Sequence, residues 1–273
     1  MRRTVAILLA LMMVLSLAGT VFAQPPERPD VPGPKQSLVA LGDSITAGYG
    51  LERNLNRVSR KAYPQLLGDE IGYRVTNLAV AGMTSCEVLE AVQSNNRYRN
   101  AIARADIIIL NVGGADMLGF LVEFLNPSTP DPDSGLFIGA LGANIAAILG
   151  EISALNPGVP ILLFNIYEPY PLAFVLGSEV YSSLIPLLFG VNLTIESFAA
   201  LPSVYFVDAY AAFDVYPGSE SEKAGLLFVD EVHPSELGQE LLFEAAYKVL
   251  EDAGLVYSRP LPPGLAKKAA MAP

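Results

Sequence analysis

Histidine, cysteine and positive charge are all scarce in this chain of 273 residues, which holds one histidine, one cysteine and 17 Lys plus Arg against 28 Asp plus Glu. The resulting net charge is −11. With no basic patch to displace counterions, a nucleic-acid backbone is not an expected partner, and an anionic membrane surface repels the chain. A lone cysteine, Cys86, excludes an internal disulfide, so stability must come from the core. Cys86 falls at a predicted helix start, Thr84 to Val92, where a small buried apolar residue is the ordinary reading and a reactive thiol the alternative. One histidine and one cysteine also supply too few soft ligands for a zinc site, and neither a metal nor a cofactor is expected. There is no internal repeat, and no Gly-x-Gly-x-x-Gly follows a predicted strand, which argues against a dinucleotide-binding protein.

Apolar residues are plentiful: 52% of the chain is hydrophobic and only 16% charged, enough for one globular domain with a sizeable core. The first 23 residues read as a signal peptide, with Arg2-Arg3 as a basic start, Val5 to Leu17 as an apolar run and Val21-Phe22-Ala23 as a cleavage site. Cleavage after Ala23 predicts a secreted or extracytoplasmic protein of bacterial type. An uncleaved anchor is the rival, although the run is short for a bilayer span. Residues 24–35 form a proline-rich linker, 36–256 the folded domain and 257–273 a loose tail.

Within the domain, short apolar runs alternate with helical periodicity. Strands are predicted at Ser37 to Leu41, Arg74 to Val80, Ile107 to Leu110, Ile161 to Tyr167 and Val204 to Asp208. One helix carries Leu141, Ile145, Ile148, Leu149, Ile152 and Leu155 on a single face. Another runs from Pro234 to Ala253 with Leu237, Leu241, Ala245 and Val249 on one face and Gly254 as its stop. Pro171 to Val191 is strongly apolar; it reads either as one or two core helices or as the wall or lid of an acyl pocket, and Gly177, Glu179 and Pro186 argue against a membrane span. The alternation predicts an α/β fold, a central, mostly parallel five-stranded sheet covered on both faces.

Ligands of such sheets bind beyond the carboxyl ends of the strands. Gly42-Asp43-Ser44-Ile45-Thr46 follows the first strand there, and a serine opening a helix is either an N-cap or a nucleophile whose developing charge the helix end favours. Gly82 stands just past the second strand, and Gly113-Gly114-Ala115-Asp116 follows the third. Asp230 and His233, three residues apart, precede the last helix, so one turn can present both. If a serine is activated here, His233 is the only histidine available as its base.

In these residues the chain resembles the SGNH hydrolase superfamily, often called the GDSL esterases and lipases. The resemblance implies a three-layer α/β/α sandwich of flavodoxin-like order and hydrolysis of carboxylic esters or thioesters of small molecules or lipids. It implies Ser44 as nucleophile, His233 as base and Asp230 as the acid that orients it, with Glu231 a weaker rival. Asp43 is expected only to brace the turn. The N–H groups of Ser44 and Gly82 correspond to the family's oxyanion hole. The sequence departs from the family at Ala115, where an asparagine side chain usually donates a third hydrogen bond. A slower esterase, a replacement donor from Asn111 or Asn165, or an inactive binding module for lipid or carbohydrate are the alternatives. Asn111, Gly114 and Asn165 are the candidate substrate-contacting residues. The Asn192-Leu193-Thr194 glycosylation tripeptide and the acids of Pro127 to Gly135 are weak signals, the latter reading as an exposed loop rather than a calcium site.

Overall fold

The run Ile107-Ile108-Ile109-Leu110 needs apolar cover on both of its faces, and the fold supplies it. The computed structural model describes residues 35–55, 57–169, 177–214, 216, 225–228, 230 and 232–256. The expectations for the signal peptide, most of the linker, the tail, Glu231 and residues 171–176 lie outside these. Five strands, β1 (Ser37–Gly42), β2 (Arg74–Asn77), β3 (Ile107–Asn111), β4 (Ile161–Phe164) and β5 (Val204–Val207), form one sheet in the order β2-β1-β3-β4-β5. Every pairing is parallel. The strand order reverses at β1 and β3, the point at which flavodoxin-like sheets open a crevice.

Alternation along each strand divides the core in two. Val39, Leu41, Ile108, Leu110 and Leu163 face one layer, built from α3 (Ser85–Ser94), α4 (Asn96–Ile102), α5 (Gly114–Phe124), α6 (Ser134–Leu155) and α7 (Ser178–Ser197). Leu38, Ala40, Ile107, Ile109, Leu162 and Phe164 face the other, built from α2 (Tyr63–Ile71), α8 (Ala209–Asp214) and α9 (Glu236–Asp252). The short α1 (Ser44–Ala47) leaves the end of β1. The predicted three-layer α/β/α sandwich is the observed one.

Side-chain hydrogen bonds end two strands earlier than the apolar pattern predicts. At the end of β2, Asn77 donates from Nδ2 to the Thr46 carbonyl at 2.7 Å and accepts from the Ala79 N–H at 3.0 Å. After β4, Asn165 turns its amide to Asp208 and Tyr210 rather than along the sheet. The helix expected from Leu141 begins earlier, at Ser134, where Asp133 caps it by accepting from the Leu136 N–H at 3.0 Å. Asp133 is therefore a helix cap, and the loop expected through Gly135 ends two residues sooner than its composition suggests.

Two expectations about faces need correction. In α9 the fully buried line is Gly238, Leu242, Ala246 and Leu250, one position on from the predicted stripe, whose members are half-buried flanks. A Cβ on Gly238 would lie 2.2 Å from the Leu226 carbonyl oxygen, so the helix approaches through a residue with no apolar signature. Cys86 is exposed, not buried. In α3 the inward positions are Ser85, Val88, Ala91 and Val92, and residue 86 lies about 200° around the helix from Val88.

Helices α6 and α7 are each long and apolar enough to cross a membrane by length and composition. In this fold Leu141, Ile145, Ile148 and Ile152 of the first, and Leu187, Leu188, Val191 and Ile195 of the second, belong to the core beside the sheet. Most of the described part of Pro171 to Val191 is thus core helix, with one edge bordering a cavity.

Candidate active site

The turn after β1 fits no side chain at Gly42. A Cβ there would meet the Asn111 carbonyl oxygen at 2.4 Å and Thr46 Oγ1 at 2.5 Å. Asp43 then caps α1, its Oδ1 accepting from the Ile45 N–H at 2.9 Å, while Oδ2 accepts from the Ala115 N–H at 3.2 Å. The bracing role expected of Asp43 is what its contacts show: one carboxylate ties the Ser44 turn to the start of α5. Burial pushes this carboxyl from 3.8 up to about 6, although both backbone N–H groups act in the opposite direction.

Ser44 is the first residue of α1 and is buried, with its N–H among the first-turn amides that have no intrahelical acceptor. His233 reaches it from the far end of the chain. The segment before α9 folds back through an antiparallel bridge between Leu227 and Pro234, and the Phe228 N–H donates to the His233 carbonyl at 2.8 Å. Within this loop Asp230 Oδ1 accepts from the N–H groups of Val232 and His233 at 3.1 and 3.0 Å. That Asx-type turn leaves Oδ2 for the imidazole.

The result is a row of three side chains: Asp230 Oδ2 to His233 Nδ1 at 2.7 Å, and His233 Nε2 to Ser44 Oγ at 2.9 Å. Burial raises the Asp230 carboxyl, but the hydrogen bonds from the His233 N–H and ring and from the Val232 N–H outweigh it and hold the group below its ordinary value. Asp230 is thus ionised at neutral pH. Tyr49 packs on the imidazole, ring centroids 4.6 Å apart, and Tyr167 donates to the Val232 carbonyl at 2.5 Å.

Gly82 lies on the loop beyond β2. The Val80 N–H donates to the Gly42 carbonyl at 3.1 Å, which pins this loop to the end of β1. The Met83 N–H closes a turn onto the Val80 carbonyl, and Gly82 takes the φ of +80° that a glycine accepts without strain. The neighbouring Ser85 is held by Asp116, whose carboxylate accepts from the Ser85 N–H at 2.9 Å and its hydroxyl at 2.6 Å.

Beside Ser44 opens a cavity with mainly apolar walls. Met117, Leu118 and Leu121 of α5 form one side, and Tyr181, Leu184, Ile185 and Leu188 of α7 another. Asp43, Ile45, Gly114, Ile166, Tyr167, Pro169 and Val232 complete it. Gly114 borders this cavity, and Ala115 follows it in the first turn of α5.

Asn111 and Asn165 do not border this cavity. Asn111 sits at the alternate position of β3 that faces the α2 and α9 layer, and its Nδ2 donates to the Tyr63 hydroxyl at 3.3 Å. Asn165 donates to Asp208 Oδ1 at 2.8 Å and accepts from the Tyr210 N–H at 3.0 Å. Both amides serve strand ends, and the expectation that either replaces the missing oxyanion donor is corrected. Gln239, fully buried in α9, is a support that apolar patterning misses. It accepts from the Tyr63 N–H at 2.8 Å and donates to the Ile45 carbonyl at 3.1 Å, linking the last helix to the Ser44 turn. Among the described residues no group of three or more His, Cys, Asp or Glu is arranged to hold a metal ion.

Comparisons with known proteins agree with this architecture. Residues 40–241 match the GDSL-like Lipase/Acylhydrolase family. Among curated proteins no sequence matches the chain. Among solved structures, a lipase from a goat rumen metagenome is 22% identical with a TM-score of 0.61, covering 79% of this chain and 97% of its own. A phospholipase A1 from Streptomyces albidoflavus NA297 is 20% identical with a TM-score of 0.59, covering 80% of this chain and 99% of its own. A catalytic mutant of an acetylxylan esterase from Geobacillus stearothermophilus covers 82% of this chain and 97% of its own at 19% identity, with a TM-score of 0.57. At these identities the structural likeness speaks for the fold, and the family match, which spans most of the chain, speaks for the chemistry. The chain belongs to the GDSL-like lipase/acylhydrolase family and is a carboxylic ester hydrolase.

Proposed function

We propose that the protein is an exported serine hydrolase that cleaves medium- or long-chain acyl esters through an acyl-enzyme on Ser44. The observation that carries this reading is the row Asp230, His233 and Ser44 at 2.7 and 2.9 Å beside an apolar cavity. His233 Nε2 takes the Ser44 proton as Oγ attacks the ester carbonyl, then returns it to the leaving alcohol. Water, deprotonated by the same nitrogen, releases the acid and restores Ser44. Asp230, held ionised by its N–H contacts, keeps the proton on Nδ1 so that Nε2 faces the serine.

The oxyanion is assigned to the N–H groups of Ser44 and Gly82. Ala115 supplies no side-chain donor, and its own N–H is committed to Asp43 at 3.2 Å. Loss of one such donor costs about 2.7–4 kcal/mol of transition-state stabilisation, which predicts a slow enzyme rather than an inactive one. The cavity walls of Met117, Leu121, Leu184, Ile185 and Leu188 support an acyl chain over an acetyl group. Export rests on the signal-like residues 1–23 and is tested by the N-terminal mass of protein secreted from a bacterial host.

A fluorophosphonate probe and a panel of p-nitrophenyl esters of graded length test the chemistry. Wild-type protein labels at Ser44, Ser44→Ala neither labels nor hydrolyses, and kcat/KM rises from acetyl to octanoyl ester. Ala115 favours a second reading, a binding module on the same fold. Folded wild-type protein that takes no label decides for it.

A further inference from the structure

Helix α5 carries more apolar surface than its packing uses. Phe120 is buried, its ring 5.0 Å from that of Phe137 and 6.4 Å from that of Phe124. Leu118, Val122 and Leu125 fall on a different side of the helix and are 36, 70 and 45% exposed. The Phe120–Phe137 contact brings the first turn of α6 alongside, and there Leu136 is 75% exposed. Single exposed apolar residues are ordinary, whereas a group on one helix face marks a contact surface. This face runs into the cavity, because Leu118 and Leu121 also form its wall.

Charge selects the occupant. The chain has no Lys or Arg between Arg104 and Lys223, a stretch that includes all of α5, α6 and α7. The charges nearest the face in sequence are Asp116, Glu123, Asp131 and Asp133, all acidic. A surface of this composition repels anionic lipid and has no cation with which to grip a phosphate. An uncharged or zwitterionic apolar surface fits it.

We propose that the exposed face of α5 and the first turn of α6 dock the protein on an uncharged lipid–water interface, with the cavity mouth turned toward aggregated ester. The proposal rests on the reading of the cavity as the acyl site. It is tested with the full chain and a Val122→Glu/Leu125→Glu/Leu136→Glu variant, none of whose positions line the cavity. Sedimentation with phosphatidylcholine vesicles, with and without phosphatidylglycerol, measures binding, and dissolved p-nitrophenyl butyrate measures hydrolysis.

The wild type binds phosphatidylcholine vesicles and the variant binds at least about tenfold more weakly, since glutamates replace the buried apolar contacts. Both hydrolyse the dissolved ester at the same rate. Phosphatidylglycerol weakens wild-type binding at low salt, and added salt relieves the effect. Equal vesicle binding by wild type and variant overturns the proposal and assigns binding to another segment, residues 1–23 included. Absence of wild-type binding also overturns it, as does a lipid-free dimer that the variant dissociates, which makes a second copy the occupant. If neither protein hydrolyses the ester while vesicle binding still depends on the three residues, the reading of Ser44 fails and the docking face stands. Single Val122→Ser and Leu136→Ser variants serve the same comparison if the triple variant does not fold.

Discussion

Replacing Asp43 by asparagine isolates the cost of a buried charge beside Ser44. The carboxyl is buried, and its value rises from 3.8 to about 6 on folding. Between those values the native state binds more protons than the unfolded chain, so the contribution of Asp43 to stability falls as pH rises through that window. The full penalty, present above pH 6, is about 3 kcal/mol, from roughly two units at about 1.4 kcal/mol each. Asparagine is nearly isosteric with the protonated acid, and in both species only one of the two atoms that face the Ile45 and Ala115 N–H groups is still a carbonyl acceptor, the other having become a donor. Below pH 4 the variant and wild type therefore have equal stability within about 1 kcal/mol. By pH 7 the variant is the more stable by about 3 kcal/mol. Urea unfolding at fixed salt, in steps from pH 4 to 7.5, measures the difference, and taking the difference cancels the other titrating groups. A variant whose offset from wild type is the same at both ends of the range would falsify the assignment of a raised value to Asp43.

Three further outcomes are expected. Asp230→Asn lowers kcat on a dissolved ester by about 10⁴-fold with little change in KM, because the imidazole loses the partner that fixes its tautomer; a drop below tenfold shows that Tyr49 and the backbone suffice to orient the ring. Ala115→Asn raises kcat by up to about 10²-fold, the worth of one oxyanion donor; lower turnover in a folded variant shows that the cleft already uses that space. Gly68→Ala places a Cβ 2.1 Å from Val75 Cγ2 and pushes α2 off β2. That costs about 1–3 kcal/mol in urea unfolding without altering the pH profile of hydrolysis, and an unchanged midpoint shows that β2 gives way freely.

The sequence is most legible where burial is two-sided or where residue types are scarce. Apolar runs at β1, β3 and β4 mark the sheet because no solvent face interrupts them. A single histidine leaves one candidate for a base, and the loop that presents His233 also contains Asp230. Legibility fails where polar or small residues do the packing. Gly238 and Gln239 sit at the buried centre of α9, so the apolar stripe read from the sequence is displaced by one residue. Ser85 takes the inward position of α3 because Asp116 and Asn144 satisfy it, and Cys86 is left outside. Asn111 and Asn165 look free at strand ends because sequence spacing cannot reveal that Tyr63, Asp208 and Tyr210 consume their amides.

The hydrogen bond between Ser44 and His233 spans 189 positions of the chain. All five strands lie between Ser37 and Val207, so a sheet of native order can assemble before His233 is present. The Ser44 turn then lacks His233, and it also lacks Gln239, which reaches the turn from α9. Chemistry at Ser44 therefore requires contacts from both ends of the domain and not the sheet alone. On the proposed reading of Ser44 as nucleophile, a chain emerging from its N-terminus is inert until the His233 loop and α9 have docked, and an ester assay run during refolding times that step separately from the growth of the sheet.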